Sequence, residues 1–216
     1  MRRNSGSCPP CYGLPVSPFT VRISRGSSYC SGALIAEDLV PCEYGGTDLV
    51  LTCAHFFRGS SKAKVTGAGF HARVVDLAVV KGTDIAVVRL SRACPPRMVP
   101  GLARARLSVF ARTLTLGFGG SRARACTRWG RVFWSFPIAF SRDFRTVVRA
   151  PAFVHNTPPA INGDSGGPVL VHGRIAAVQS MTVTVAGYSP GVATVAQTAP
   201  LRDEIEAAVA KLGARR

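Results

Sequence analysis

The sequence predicts an all-β fold closed by one C-terminal helix, and three patterns carry that prediction. Short runs of Val, Ile, Leu and Phe recur between Gly, Pro, Ser and Arg: Thr20–Ile23, Leu49–Thr52, Ala72–Val80, Ile85–Leu90, Ser108–Leu116, Thr146–Ala150, Val169–Val171 and Met181–Val185. Runs of this length and spacing are strands of a barrel or a sandwich. Helical periodicity is confined to the end of the chain. There Leu201, Ile205, Ala208 and Leu212 share one face, acids cluster in the first turn and Gly213 stops the run. Finally, Pro95–Gly101 reads as a linker between two groups of strands. At 216 residues the chain suffices for one large domain or two small ones with adequate cores.

The chemistry concentrates at Ile161-Asn162-Gly163-Asp164-Ser165-Gly166-Gly167-Pro168-Val169. A serine flanked by glycines sits on a tight turn where little bulk blocks approach. Such a turn aims the backbone N–H groups of Gly163 and Ser165 at one point, as an oxyanion hole requires. A serine hydroxyl is a poor nucleophile at neutral pH and needs a base to take its proton. An imidazole, which titrates near neutrality, suits that role, with a carboxylate to orient it; Leu51-Thr52-Cys53-Ala54-His55 and Asp84-Ile85-Ala86-Val87 each hold one such group. His55 and Asp84 precede the linker and Ser165 follows it, so a two-barrel architecture with its site in the seam accommodates all three.

These segments resemble the histidine, aspartate and serine motifs of the chymotrypsin-like serine proteases, in that family's order. Further stretches extend the resemblance over about residues 14 to 212. Pro18–Ile23 is similar to the family's opening strand and Tyr29–Ile35 to its Cys-Gly-Gly-Ser-Leu-Ile strand. Gly173–Ser180 resembles the strand along the substrate cleft, and Pro190–Thr194 the Pro-Gly-Val segment behind the specificity pocket. The resemblance implies two six-stranded antiparallel β-barrels with a C-terminal α-helix. The expected division is an N-terminal extension (1–13), a first barrel (14–94), the linker (95–101), a second barrel (102–200) and the helix (201–213). It implies peptide hydrolysis through an acyl-enzyme at Ser165, with His55 as base, Asp84 as its orienting partner, and Gly163 and Ser165 as the hole. Asp164 is expected to be buried and to set the oxyanion loop. Asp76 lies in a similar apolar frame to Asp84 but lacks the Asp-Ile-Ala match. His71 and His172 adjoin turn-like residues and are expected on the surface, with His155 on the approach to the pocket.

The same resemblance assigns substrate contacts to Pro159, Ala160, Asn162, Ser180, Met181, Thr182 and Gly191, with Ser180 also near the triad aspartate. Trypsin-like members carry an Asp where this chain has Pro159, so an uncharged P1 side chain is expected, small or medium apolar in the first instance. Thr182 and Asn162 leave Gln or Glu open, although Gln179 stands where such enzymes often carry His. No Ile/Val-Val-Gly-Gly start precedes Pro18. Either no N-terminal activation is used, or Asp164 finds another partner. Residues Ala36–Asp48 form an insertion, read as a loop near the cleft rim or a plain surface hairpin.

Seven cysteines, at 8, 11, 30, 42, 53, 94 and 126, are an odd number that argues against a disulfide-stapled secreted enzyme. Relative to the family, a bridge from Cys30 would have to shift to Cys53. Cys8-Pro9-Pro10-Cys11 has redox or zinc-knuckle spacing but no second pair, so neither metal nor cofactor is expected. A charged start without an apolar stretch after it, and no apolar run long enough to cross a bilayer, lead to the expectation of a cytoplasmic protein, or a secreted one if the true start lies upstream. The formal net charge of +16 is dense around Arg104, Arg106, Arg112, Arg122, Arg124, Arg128 and Arg131, near Trp129, Phe133 and Trp134. Besides a polypeptide substrate, that surface suits an acidic partner, an acidic membrane or nucleic acid. Two other functions therefore compete with the endopeptidase: an inert protease-fold binding module, and a basic nucleic-acid-associated protein.

Overall fold

The computed structural model describes residues 17–120, 123–183 and 190–214. Cys8, Cys11, Arg122 and the expected N-terminal extension lie outside them. The first half of the chain forms β1 (Thr20–Arg25), β2 (Ser28–Ile35), β3 (Cys42–Gly45), β4 (Leu49–Thr52), β5 (Lys64–Gly67), β6 (Phe70–Val79), β7 (Ala86–Leu90) and β8 (Arg97–Val99). Six of these close into a barrel in the order β1-β2-β4-β7-β6-β5, every pair antiparallel. Val21, Ile23, Leu34, Leu51, Val65 and Val87 fill its interior.

The second half supplies β9 (Arg112–Gly117), β10 (Cys126–Ser135), β11 (Ile138–Phe140), β12 (Val147–Arg149), β13 (Pro151–Thr157), β14 (Pro168–Val171), β15 (Arg174–Thr182) and β16 (Val192–Gln197). A second closed barrel runs β10-β13-β16-β15-β14-β9, and β11 with β12 forms a separate hairpin. Closing each six-stranded sheet on itself removes its edges, which limits edge-to-edge association of an all-β chain. The helix α1 (Arg202–Gly213) returns across the molecule and packs on β6 and β7 of the first barrel. Ile205, Ala208, Val209 and Leu212 are its buried face, and Leu201 is buried in the 3₁₀ turn that leads into it. Full burial of Ile205 and Leu212 stabilises this closure by about 1.5–3 kcal/mol each.

Two expectations are corrected here. The segment 95–101 is more than a linker, because its centre is β8, paired with β3 of the 36–48 insertion through Cys42↔Val99 and Gly45↔Arg97. The Leu102 N–H adds a bond to the Leu39 carbonyl (3.0 Å). The insertion and the inter-barrel connection thus satisfy part of each other's backbone hydrogen bonding. The insertion consequently sits against that connection, and none of its residues lines the cleft.

Strand β10 escaped the sequence reading because its inward positions are Cys126, Arg128 and Val132, not a run of β-branched residues. Arg128 is only 1% exposed and so is no part of the basic surface to which it was assigned.

Candidate active site

Neighbouring strands deliver the first two residues. β4 and β7 pair with Thr52 opposite Ala86, so the residues just after β4 and just before β7 emerge at the same end of the sheet. His55 opens a 3₁₀ turn there and Asp84 stands in the facing loop. Asp84 is 2% exposed, and each of its oxygens has a donor on His55. The His55 backbone N–H reaches Oδ1 at 2.8 Å, and Nδ1–H reaches Oδ2 at 2.7 Å. Ser180 Oγ donates a further short bond to Oδ2. This double grip fixes the ring and leaves Nε2 as the nitrogen not bonded to Asp84. Asp76, the alternative, lies at the bulge in β6 and accepts the N–H of Leu77.

Nε2 faces an unexpected neighbour, the Cys53 Sγ at 3.8 Å. Burial pushes the Cys53 thiol well above its usual 9.0, and contact with Cys30 adds to the rise. It is therefore an uncharged S–H at neutral pH. For His55, burial alone would lower the pKa, but the Cys53 sulfur and the Asp84 carboxylate raise it from 6.5 to about 10. Since Cys53 is neutral below its own pKa, Asp84 is what holds the imidazolium near neutrality, and a thiolate joins only in alkaline solution. Cys30, Cys42, Cys53 and Cys94 are free thiols.

Ser165 comes from the loop before β14 and lines the same cleft as His55, a cavity of about 830 Å³. In this resting arrangement its hydroxyl donates to the Ser180 carbonyl (3.0 Å) rather than to His55. The loop carrying it is held from both barrels. Ser31 of the first barrel donates its N–H to the Ser165 carbonyl (2.7 Å) and its hydroxyl to the Gly163 carbonyl (2.7 Å). The Asn162 carbonyl accepts the N–H of Gly120 (3.2 Å) and, at 3.4 Å, the Tyr29 hydroxyl. With that carbonyl held away from the cleft, planarity of the peptide turns the Gly163 N–H the other way. Gly163 has φ +100°, and a Cβ there would stand 2.2 Å from Tyr29 Cε2, so glycine is required twice over.

Beneath the loop, Asp164 is 1% exposed and fully engaged. Oδ1 accepts from Gly119 N (2.9 Å), and Oδ2 from Ile161 N (2.8 Å) and Arg128 Nε (2.6 Å). Any side chain on Gly117 or Gly119 would fall 2.4–2.5 Å from this carboxylate. The sequence reading left Asp164's partner open; it is Arg128. That role was invisible in sequence, since Arg128 sits among other arginines. The Gly117-Phe118-Gly119-Gly120 cluster was the one local sign that a backbone passes close to something here.

Of the residues assigned to substrate, Asn162, Ser180, Met181 and Thr182 line the cleft, whereas Pro159, Ala160 and Gly191 do not. β15 and β16 pair Thr182 with Ala193 and Met181 with Thr194, and it is Thr194, not Gly191, that reaches the cavity. The wall missing from the sequence reading is the β11–β12 hairpin, which contributes Ala139, Phe140, Ser141 and Arg142. Arg58, just after His55, ties that hairpin to the first barrel through the Arg145 carbonyl (2.5 Å) and Thr146 Oγ1 (2.7 Å). His71 and His172 are exposed, and His155 lies on β13 beside Gly191, outside the cleft lining. Among the described residues no cluster of three or more His, Cys, Asp and Glu is placed to hold a metal ion, and no helix is long and apolar enough to cross a membrane.

Comparison with known proteins places this arrangement. The family profile of the trypsin-like peptidase domain matches residues 30–178. No curated protein sequence matches the chain. Among solved structures, the Rv3671c protease in its inactive form is similar at 18% identity, over 91% of this chain and 89% of that one, with a TM-score of 0.67. The active form of that protease, from M. tuberculosis, is similar at 17% identity over 87% and 79% of the two chains, TM-score 0.68. Kallikrein-related peptidase 10, in complex with Zn2+, gives 16% identity over 90% and 96%, TM-score 0.68. The two barrels are thus of the chymotrypsin-like fold, and the chain belongs to the trypsin-like peptidase domain family.

Proposed function

We propose that this chain is a serine endopeptidase acting through Ser165, His55 and Asp84. The observation that carries the reading is the doubly bonded Asp84–His55 pair in one cleft with Ser165, above a loop fastened by Asp164. On substrate binding, Ser165 Oγ turns from the Ser180 carbonyl to His55 Nε2 and attacks the scissile carbonyl carbon. His55 takes the hydroxyl proton, and Asp84 stabilises the imidazolium. The negative charge on the carbonyl oxygen is received by the N–H groups of Gly163 and Ser165, each donor of this type being worth roughly 3–4 kcal/mol. His55 then protonates the leaving amine as the C–N bond breaks. Water, deprotonated by His55, releases the acyl group as a carboxylic acid and restores Ser165.

Arg128 occupies the partner position at Asp164, so the oxyanion loop is set without a newly cut N-terminal amine. The cleft supports an uncharged P1. Among the described residues that line it, only His55 and Arg142 carry charge, and none is an acid that would receive Lys or Arg. A peptide library digested by wild-type protein and by Ser165→Ala, with products sequenced by mass spectrometry, tests both parts. The expected result is cleavage after uncharged residues by wild type alone. Cleavage surviving in Ser165→Ala, or confined to sites after Lys and Arg, contradicts the reading.

A further inference from the structure

The face of the second barrel next to the cleft carries large apolar side chains in the open. Trp134, Phe136, Ile138, Phe140 and Phe144 are 54%, 49%, 45%, 49% and 76% exposed. Ring contacts join much of this set: Trp134 to Phe136 (6.0 Å), Phe136 to Phe153 (5.6 Å), Phe153 to Phe133 (6.1 Å), and Phe140 to Phe144 (5.9 Å). Apolar surface of this extent marks an interaction site, not scattered exposure. The turn that presents Phe144 is built rigidly. Thr146 N donates to Ser141 Oγ (2.8 Å), Phe144 N to the Ser141 carbonyl (2.9 Å) and Arg145 N to Asp143 Oδ1 (3.2 Å). Phe144 itself is held at φ +56°, a conformation uncommon for a bulky residue.

Charge and ring geometry identify the partner. Around the rings, residues 130–146 contain three arginines and a single acid, Asp143. Arg131, Arg142 and Arg145 are exposed in the same segment as the rings. The partner is therefore anionic. Phe and Ile have no polar handle, so covering them takes an apolar phase. The rings meet at 40° to 85°, tilted or edge to face, rather than as open parallel platforms for stacking bases. An anionic bilayer surface supplies both components, an acyl boundary for the rings and phosphate and carboxylate groups for the guanidinium groups. We propose that β10 and the β11–β12 hairpin dock this protein on anionic phospholipid membranes, with Phe144 at the leading tip. Ala139 and Arg142 of the same hairpin line the cleft, so docking holds the cleft beside the membrane surface. That last consequence rests on the peptidase reading; the docking does not.

The test is co-sedimentation of the full chain, at physiological salt, with phosphatidylcholine vesicles with and without phosphatidylserine. It is repeated with Phe136→Ser/Phe144→Ser, two residues outside the cleft lining. In a Trp129→Phe background Trp134 is the sole tryptophan, and brominated lipid reports its depth. Expected are binding to the phosphatidylserine vesicles, quenching of Trp134, and at least a tenfold loss of partitioning in the double Ser variant. That variant keeps its melting temperature and its labelling at Ser165. Absence of labelling in every form would count against the peptidase reading and leave the docking result standing. The proposal is overturned by no binding to phosphatidylserine vesicles, by bound protein with Trp134 unquenched, or by undiminished binding of the double Ser variant. It is equally overturned if a single-stranded oligonucleotide binds in preference to vesicles and loses that binding in the same variant.

Discussion

Replacing Arg128 by Met tests whether the buried ion pair fastens the oxyanion loop. The substitution keeps most of the side-chain volume and removes the charge. Asp164 then remains as a carboxylate, 1% exposed, with two neutral donors, Gly119 N and Ile161 N. Breaking a buried pair by removing one partner costs about 3–5 kcal/mol, because the remaining charge stays uncompensated. That is a large share of the roughly 5–15 kcal/mol that stabilises a typical protein. For a chain of this size, about 2–4 °C per kcal/mol converts it to a fall of roughly 6–20 °C in Tm. The functional effect comes from the same place. The loop from Ile161 to Ser165 loses its anchor, so the Gly163 and Ser165 N–H groups drift from the oxyanion position, and kcat falls more than KM changes. Thermal unfolding and single-turnover acylation read the two effects separately. Arg128→Met/Asp164→Asn, which removes both charges, is expected to regain most of the Tm but not the rate. If Arg128→Met melts within about 2 °C of wild type and acylates at the wild-type rate, the pair does not fasten the loop and the reasoning fails.

Other substitutions probe the remaining parts. Asp84→Asn removes the charge facing His55 Nδ1 and is expected to lower kcat by about 10⁴, the usual loss for a Ser-His-Asp triad, with the fold intact by circular dichroism. A base must be neutral to accept a proton, so the rise that Asp84 gives the His55 pKa shifts the rising limb of kcat/KM against pH above 6.5. Asp84→Asn should move whatever limb remains back down; a wild-type limb at or below 6.5 refutes the assignment of cause. The same shift stabilises the fold, in full below the unfolded-state pKa of about 6.5, fading as pH rises through the raised folded value. Denaturant midpoints across that window report it. Gly163→Ala drives a Cβ into Tyr29 at a positive φ and should cost roughly 10²–10³ in kcat, as loss of one hole donor does. An unchanged kcat would mean that the loop tolerates the Cβ without moving the donor.

Much of the architecture was legible in the chain because strands of this fold announce themselves by apolar β-branched runs. Leu49–Thr52 is recovered with its ends unchanged, and Ile85–Leu90 and Val169–Val171 within a residue. The segments proposed to carry the triad stand out for another reason, their resemblance to the histidine, aspartate and serine motifs of the chymotrypsin-like proteases. Failures came where a residue's environment is made by distant chain. Arg128 looks like one of many surface arginines until β10 turns it inward toward Asp164, 36 positions away. The short β3 and β8 have no apolar run of their own and exist because each supplies the other's backbone partners. The pocket assignments moved for the same reason. Cross-strand register, invisible in one sequence, sets Thr194 opposite Met181 at the cleft, and the β11–β12 hairpin is tied to the first barrel by Arg58 and Thr83.

The central claim is that Ser165 is an activated nucleophile. Intact-mass labelling with a fluorophosphonate probe tests it most directly, comparing wild type with Ser165→Ala on the protein as expressed, without proteolytic pretreatment. The account predicts one adduct on wild type and none on the variant. Folded wild-type protein that takes up no probe, or a variant that is labelled equally, contradicts it.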